Sequence, residues 1–126
     1  MESEGDGILL IESGMNETRI VNNTFQIPNR KAIRVLSAAK VNISGNRMIL
    51  GDLELPCKSN TKIYSNLIKV KIIFRNIGNC SGEYIIDQNY WEIEGTQDIL
   101  NARIIGTSEQ FSVRIPGILK SPPKGI

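Results

Sequence analysis

Val41-Asn42-Ile43-Ser44-Gly45-Asn46-Arg47-Met48 is one copy of a phrase that recurs along the chain: an isoleucine, two small or polar residues, an asparagine, any residue, then a large apolar one. The other copies are Ile20-Val21-Asn22-Asn23-Thr24-Phe25, Ile63-Tyr64-Ser65-Asn66-Leu67-Ile68 and Ile86-Asp87-Gln88-Asn89-Tyr90-Trp91. The asparagines Asn23, Asn46, Asn66 and Asn89 follow one another at steps of 23, 20 and 23 residues. A period in the low twenties is the signature of a solenoid, in which each repeat packs only on its neighbours. A leucine-rich repeat needs leucines at several fixed offsets. Here those offsets hold Ile, Asn and a bulky residue, so the spacing predicts a coil of parallel β-strands.

In such a coil each turn lies about 4.8 Å above the last. Ile20, Ile43, Ile63 and Ile86 are then expected to form one inward column, and Phe25, Met48, Ile68 and Trp91 another. The asparagine falls where the strand turns a corner. Asparagine tolerates a left-handed backbone and stacks into side-chain ladders, so Asn23, Asn46, Asn66 and Asn89 are expected to form one.

Working outward, 1–7 read as a polar lead-in, 8–91 as coil turns and 92–126 as a C-terminal cap and tail, all in one domain. Ile8 to Ile11 is a short apolar strand, followed by a loop at Ser13 to Asn16. Gln26 to Lys31, with Pro28, reads as a loop. Lys31 to Val41 has the composition of an amphipathic helix, but Ala32-Ile33-Arg34-Val35-Leu36 matches the Ile8 strand one turn later, and the long-range repeat outranks local propensity. Pro56 to Asn60 reads as a corner and Val70 to Phe74 as a β-branched strand. After Trp91 the pattern stops. Thr96 reads as the N-cap of a short helix ended by Gly106, and Phe111, Val113 and Ile115 alternate as a last strand before Pro116, Pro122 and Pro123. Solenoid ends need caps. No N-terminal cap is legible, so further turns, another copy of the chain or a partner are expected there.

Cys57 and Cys80 stand 23 residues apart, each nine before a ladder asparagine. Stacked on adjacent turns they form either a disulfide or a pair of buried thiols. Asn16, Asn22, Asn42 and Asn79 open Asn-x-Ser/Thr sequons. These are glycan acceptors in a secreted protein, or simply corner chemistry, and the second reading is preferred.

The chain has no histidine, which removes Ser-His-Asp and Cys-His catalysis and disfavours zinc. A net charge of +2 gives no ground for nucleic acid. No apolar run is long enough to span a bilayer, and the acidic start Met1 to Asp6 does not read as a signal peptide. The outward columns beside the ladder are Val21, Ser44, Tyr64, Asp87 and Thr24, Arg47, Leu67, Tyr90. One acid among eight residues makes no carboxylate stack, so no catalytic residue and no metal ligand is assigned. Asp52, Glu54, Glu92 and Glu94 read as solvated charges. Tyr64, Asp87, Tyr90 and Arg47 are left as a carbohydrate-binding patch, weighed against ordinary outward strand residues.

Turns such as Ala32-Ile33-Arg34-Val35 followed by Val41-Asn42-Ile43-Ser44-Gly45-Asn46 resemble right-handed parallel β-helix repeats of the pectate-lyase-like superfamily. Asn89-Tyr90-Trp91, with Glu92 where that superfamily's terminator carries glycine, then the helix around Asp98 to Ile104 and the spaced Val113, Pro116, Leu119 and Pro122, are similar to its closing segment. The resemblance implies an all-β fold, a right-handed single-stranded parallel β-helix of about four to five turns with a short capping helix and strand. The superfamily includes polysaccharide lyases, glycoside hydrolases, epimerases, tailspikes and adhesion proteins, and fold alone does not choose among them. The expectation drawn from these residues is a non-catalytic extracellular or cell-surface segment that binds a glycan or a protein partner, or acts as scaffold. The alternative is part of a lyase or hydrolase whose active site lies in turns N-terminal to this chain or between subunits, as in a tailspike-like oligomer. Calcium enters only on the lyase reading.

Overall fold

The computed structural model describes residues 8–10, 17–36, 40–57, 60–75, 80–93 and 95–126, with side chains from residue 17 onward. The chain is mostly β. Its strands are β1 (Ile8–Leu10), β2 (Thr18–Val21), β3 (Thr24–Val35), β4 (Lys40–Ser44), β5 (Arg47–Pro56), β6 (Asn60–Tyr64), β7 (Leu67–Ile68), β8 (Ile72–Arg75), β9 (Gly82–Ile85) and β10 (Tyr90–Trp91). A helix α1 (Thr96–Arg103), then β11 (Ile104–Ile105) and β12 (Phe111–Arg114), follow. Every strand pairing among the described residues is parallel. A seven-stranded curled sheet runs β1-β3-β5-β7-β10, with β8 on β5 and β11 on β8. β2-β4-β6 form a second sheet and β9-β12 a third.

The register is the one the repeat predicts. Ile20, Ile43 and Ile63 are paired across β2, β4 and β6, and Phe25, Met48, Ile68 and Trp91 across β3, β5, β7 and β10. These residues and Ile86 are all buried in one apolar cluster. A further column, Ile8, Ile33, Leu53, Ile72 and Ile104, links β1, β3, β5, β8 and β11. Full burial of one such aliphatic side chain is worth about 1.5–3 kcal/mol, so like-over-like stacking is the main force holding successive passes together.

The corner chemistry differs from expectation in one position. The left-handed residue is the one before each ladder asparagine: Asn22, Gly45, Ser65 and Gln88, with φ of 58°, 68°, 56° and 58°. The bend falls one residue early, and the asparagine is left free to project inward. At Gly45 a Cβ would lie 2.6 Å from Oδ1 of the exposed Asn22 side chain, which can swing aside, and the other three corners hold the same φ with a Cβ, so glycine eases this corner without being required by it.

Residues 31–35 lie in β3, so the repeat did outrank the helical composition; 37–39 are outside the described residues, as are Ile11 and the expected loop at 13–16. Gln26 to Lys31, expected as a loop, belongs to β3, but the pairing with β5 slips between Phe25 and Ile33 because this stretch is longer than the one facing it. Pro56 ends β5, opposite Arg75, and does not begin a corner. Gly95, not Thr96, caps α1, and it does so without a side-chain hydrogen bond.

The parallel pairing does not stop at Trp91. β11 pairs with β8, β12 with β9, and Ile118 bridges Asn89. The last pass is lengthened by the eight-residue α1. The step from Asn89 to Ile118 is 29 residues rather than 20 or 23, and that longer step hid it from the repeat. Cys57 and Cys80 form a disulfide with Cα atoms 5.8 Å apart, tying adjacent passes.

Candidate functional site

Asn66 stands at the middle of the ladder. Its Oδ1 accepts the backbone N–H of Asn46 at 2.9 Å and the Asn46 side-chain N–H at 3.1 Å. Its own Nδ2 donates to Ile43 O at 2.9 Å and Tyr64 O at 3.0 Å, and reaches Asn89 Oδ1 at 3.0 Å. Asn23 repeats the pattern onto Asn46, and Asn66 onto Asn89. Asn46, Asn66 and Asn89 are 0% exposed, so this column is structural and cannot meet a ligand.

The acids are mostly engaged with neighbours. Glu54 Oε2 lies 2.7 Å from Arg34 Nε and 3.6 Å from Arg75 Nε, and Glu54 is 9% exposed, which corrects its reading as a solvated charge. Arg75 also donates to Val35 O. The members of this half-buried triad stand one repeat step apart in sequence, but they lie on β3, β5 and β8 and not in the columns beside the ladder. Asp52 accepts the Lys71 N–H, Glu92 pairs with Lys69, Glu83 with Arg114 and Glu17 with Arg19. Glu94 lies outside the described residues. Among the described residues no cluster of three or more Cys, Asp or Glu is placed to hold a metal ion.

The four residues expected to form a sugar patch are divided by the corner. Tyr64 lies on the β2-β4-β6 sheet, 37% exposed, and its hydroxyl accepts Asn42 Nδ2 at 2.9 Å. The hydrogen bonds from Asn42 and Ser44 lower the Tyr64 pKa below the ordinary tyrosine value. Asp87 folds back on the Gln88 N–H at 2.9 Å. Arg47 and Tyr90 lie beyond the corner, on either side of the buried Leu67 in one cross-strand column. Of these four, Tyr90 alone lines a cleft of useful size. That cleft, about 530 Å³, is walled by Tyr90, Trp91, Glu92, Ile93, Gly95, Ile118, Leu119 and Lys120, within the range of small-ligand sites. Trp91 is 3% exposed and its indole N–H has no hydrogen-bond partner. A second cavity of about 520 Å³ sits at the irregular part of β3, between Pro28 to Lys31 and Leu50 to Asp52.

Of the sequon asparagines, Asn22 is exposed on the left-handed corner, whereas Asn42 is 7% exposed with its amide already donated to Tyr64. Asn16 and Asn79 lie outside the described residues.

No protein-family model, curated protein or solved structure matches the chain.

Proposed function

We propose that this chain is a segment of a right-handed parallel β-helix, resembling the pectate-lyase-like superfamily, that works outside the cell as a non-catalytic carbohydrate-binding scaffold of about four to five turns. What supports the fold reading is the register of the columns together with the asparagine ladder. What supports the extracellular reading is the Cys57–Cys80 disulfide, since such bonds persist in oxidising compartments. The binding reading is carried by one observation: the cleft that joins the Tyr90 ring to the charged Glu92 and Lys120. Sugars are bound by an aromatic face for their C–H surface and by polar groups for their hydroxyls. A rigid aromatic ring supplies the first, and Glu92 and Lys120 supply the second. The non-catalytic reading is supported by the engagement of six of the described acids with cations or amides.

Trp91 is the chain's single tryptophan, so its fluorescence reports on this cleft directly. Titration with a panel of neutral and uronate-containing polysaccharides should shift or quench the emission for at least one of them. Tyr90→Ala should weaken that response on the order of tenfold, the equivalent of about 1.4 kcal/mol, while Tyr64→Ala should not. No response across the panel, or equal loss in both variants, would contradict the site.

A further inference from the structure

The two ends of the stacked passes carry matching halves of the bonds made between them. At the first pass, β2 has β4 as its one partner among the described residues. The Asn22 N–H turns inward to Ser44 O at 3.4 Å. Backbone groups alternate along a strand, so those of Arg19 and Val21 face the open end. Asn23 Oδ1 faces the same way and accepts no bond from a described residue, whereas Asn46, Asn66 and Asn89 each accept two at that atom. At the last pass, Gln110 O and Arg114 O accept from Gly82 and Ile86 at 2.8 and 3.0 Å. Val113 and Ile115 therefore face outward. Gly117 O and Leu119 N are bonded to Gln88 and Asn89, so the N–H of Ile118 between them also faces outward.

We propose that these two ends bind each other, and that the partner of the open N-terminal edge is the C-terminal face of a second copy of this chain. The inference rests on the parallel winding in the reading above. β12 continues the direction of β9, and β9 follows β6 through the Ser65 N–H to Gln88 O bond at 2.7 Å, so the incoming strand is parallel to β2 as every internal neighbour is. Continuing the register places Val113 over Thr18 and Ile115 over Ile20 of the next copy. The Ile115 N–H then donates to Arg19 O, Ile115 O accepts from the Val21 N–H, and the Ile118 N–H donates to Asn23 Oδ1. Arg114 lands beside Arg19, and both bring their own acids, Glu83 and Glu17. Such a contact is head-to-tail and does not close on itself, so it yields open stacks rather than a fixed dimer. Unpaired strand edges are ready templates for this addition.

The test blocks one edge at a time. Val21→Pro removes an outward N–H from an exposed residue of β2, and Val113→Pro does the same on β12; proline is tolerated on an edge whose N–H bonds nothing. Ile118→Pro replaces Val113→Pro if circular dichroism shows that the latter has lost its β signal. Light scattering of the wild-type chain should give a mass that climbs with concentration. Each proline variant alone should stay monomeric, and an equimolar mixture of the two should form dimers, because one intact edge of each kind remains. Dimers of Val113→Pro alone or of Val21→Pro alone would overturn the proposal in favour of like-with-like edge pairing. A wild-type chain that is monomeric at all concentrations, with the Asn46 and Asn66 amides protected from hydrogen exchange, overturns the head-to-tail contact and leaves the winding intact. The same monomer with those amides unprotected overturns the winding itself.

Discussion

Asn46 Oδ1 accepts two hydrogen bonds from Asn23, one from the backbone N–H at 2.9 Å and one from the side chain at 3.3 Å, across 23 residues of sequence. The same paired acceptance is made by Asn66 and Asn89. A side chain thereby does the work of a backbone carbonyl at the corner, where the strand ladder would otherwise break. A buried amide left without partners costs roughly 1–3 kcal/mol per group, more than a single net bond of about 1 kcal/mol gains. The ladder is therefore a condition of the fold more than a bonus to it.

Replacement of Asn66 by alanine should accordingly be severe. It removes the acceptor of the buried Asn46 backbone N–H and the side-chain donor to Ile43 O and Asn89 Oδ1 at a position that is 0% exposed. A loss of about 3–5 kcal/mol is expected by urea unfolding. Asn23→Ala, at the exposed end of the same column, should cost about 1 kcal/mol.

The disulfide should act mainly on the unfolded chain. A closed loop with a sequence separation of 23 corresponds to about 3 kcal/mol in the chain-entropy treatment. The double variant Cys57→Ser and Cys80→Ser should lose that much in thermal or urea unfolding, and wild-type protein under reducing conditions should lose a similar amount.

Glu54 and Glu92 separate two kinds of ion pair. Glu54 is nearly buried against Arg34 and Arg75, so Glu54→Ala removes a charge-assisted hydrogen bond from a partly desolvated site and should cost about 1.5–3 kcal/mol. Glu92 faces Lys69 at 3.3 Å with both side chains open to solvent, and Glu92→Ala should cost under about 1 kcal/mol. Chemical denaturation of the two variants side by side measures the difference.

Tyr64 gives a signed pH effect. Its pKa is lowered in the fold, first by the Asn42 hydrogen bond, so the folded chain favours the phenolate. The unfolded chain still titrates near 10. The contribution to stability is therefore present above about pH 10 and is lost as pH falls through the lower folded value. Ultraviolet titration at the tyrosinate band should show an early step from Tyr64. Tyr64→Phe should remove that early step and Asn42→Ala should move it back toward the ordinary value.

How far residue patterns alone reach is clear from particular positions. The columns Ile20-Ile43-Ile63 and Phe25-Met48-Ile68-Trp91 were legible because stacking demands like over like at a constant step. Residues 32–35 were legible as strand only because they match Ile8 to Leu10, against their local helical composition. The last pass was not legible, since α1 changes the step and Ile118 replaces the asparagine. The left-handed residues at 22, 45, 65 and 88 share no residue type, so no pattern marked them. As for the site, Tyr90 was picked out by its column. Ile118, Leu119 and Lys120, which complete the cleft, come from that unpredicted pass. Tyr64 and Tyr90 both flank the ladder in sequence, but the corner between them puts them on different sheets.

Each ladder asparagine is hydrogen-bonded to the one a pass away. Scalar couplings across hydrogen bonds, measured by NMR on ¹⁵N,¹³C-labelled chain, test it atom by atom. The account predicts correlations from the backbone ¹⁵N of Asn23, Asn46 and Asn66 to the side-chain ¹³Cγ of Asn46, Asn66 and Asn89 respectively. Absence of all three correlations, with side-chain amides of Asn46 and Asn66 exchanging at the rate of a free peptide, would contradict it.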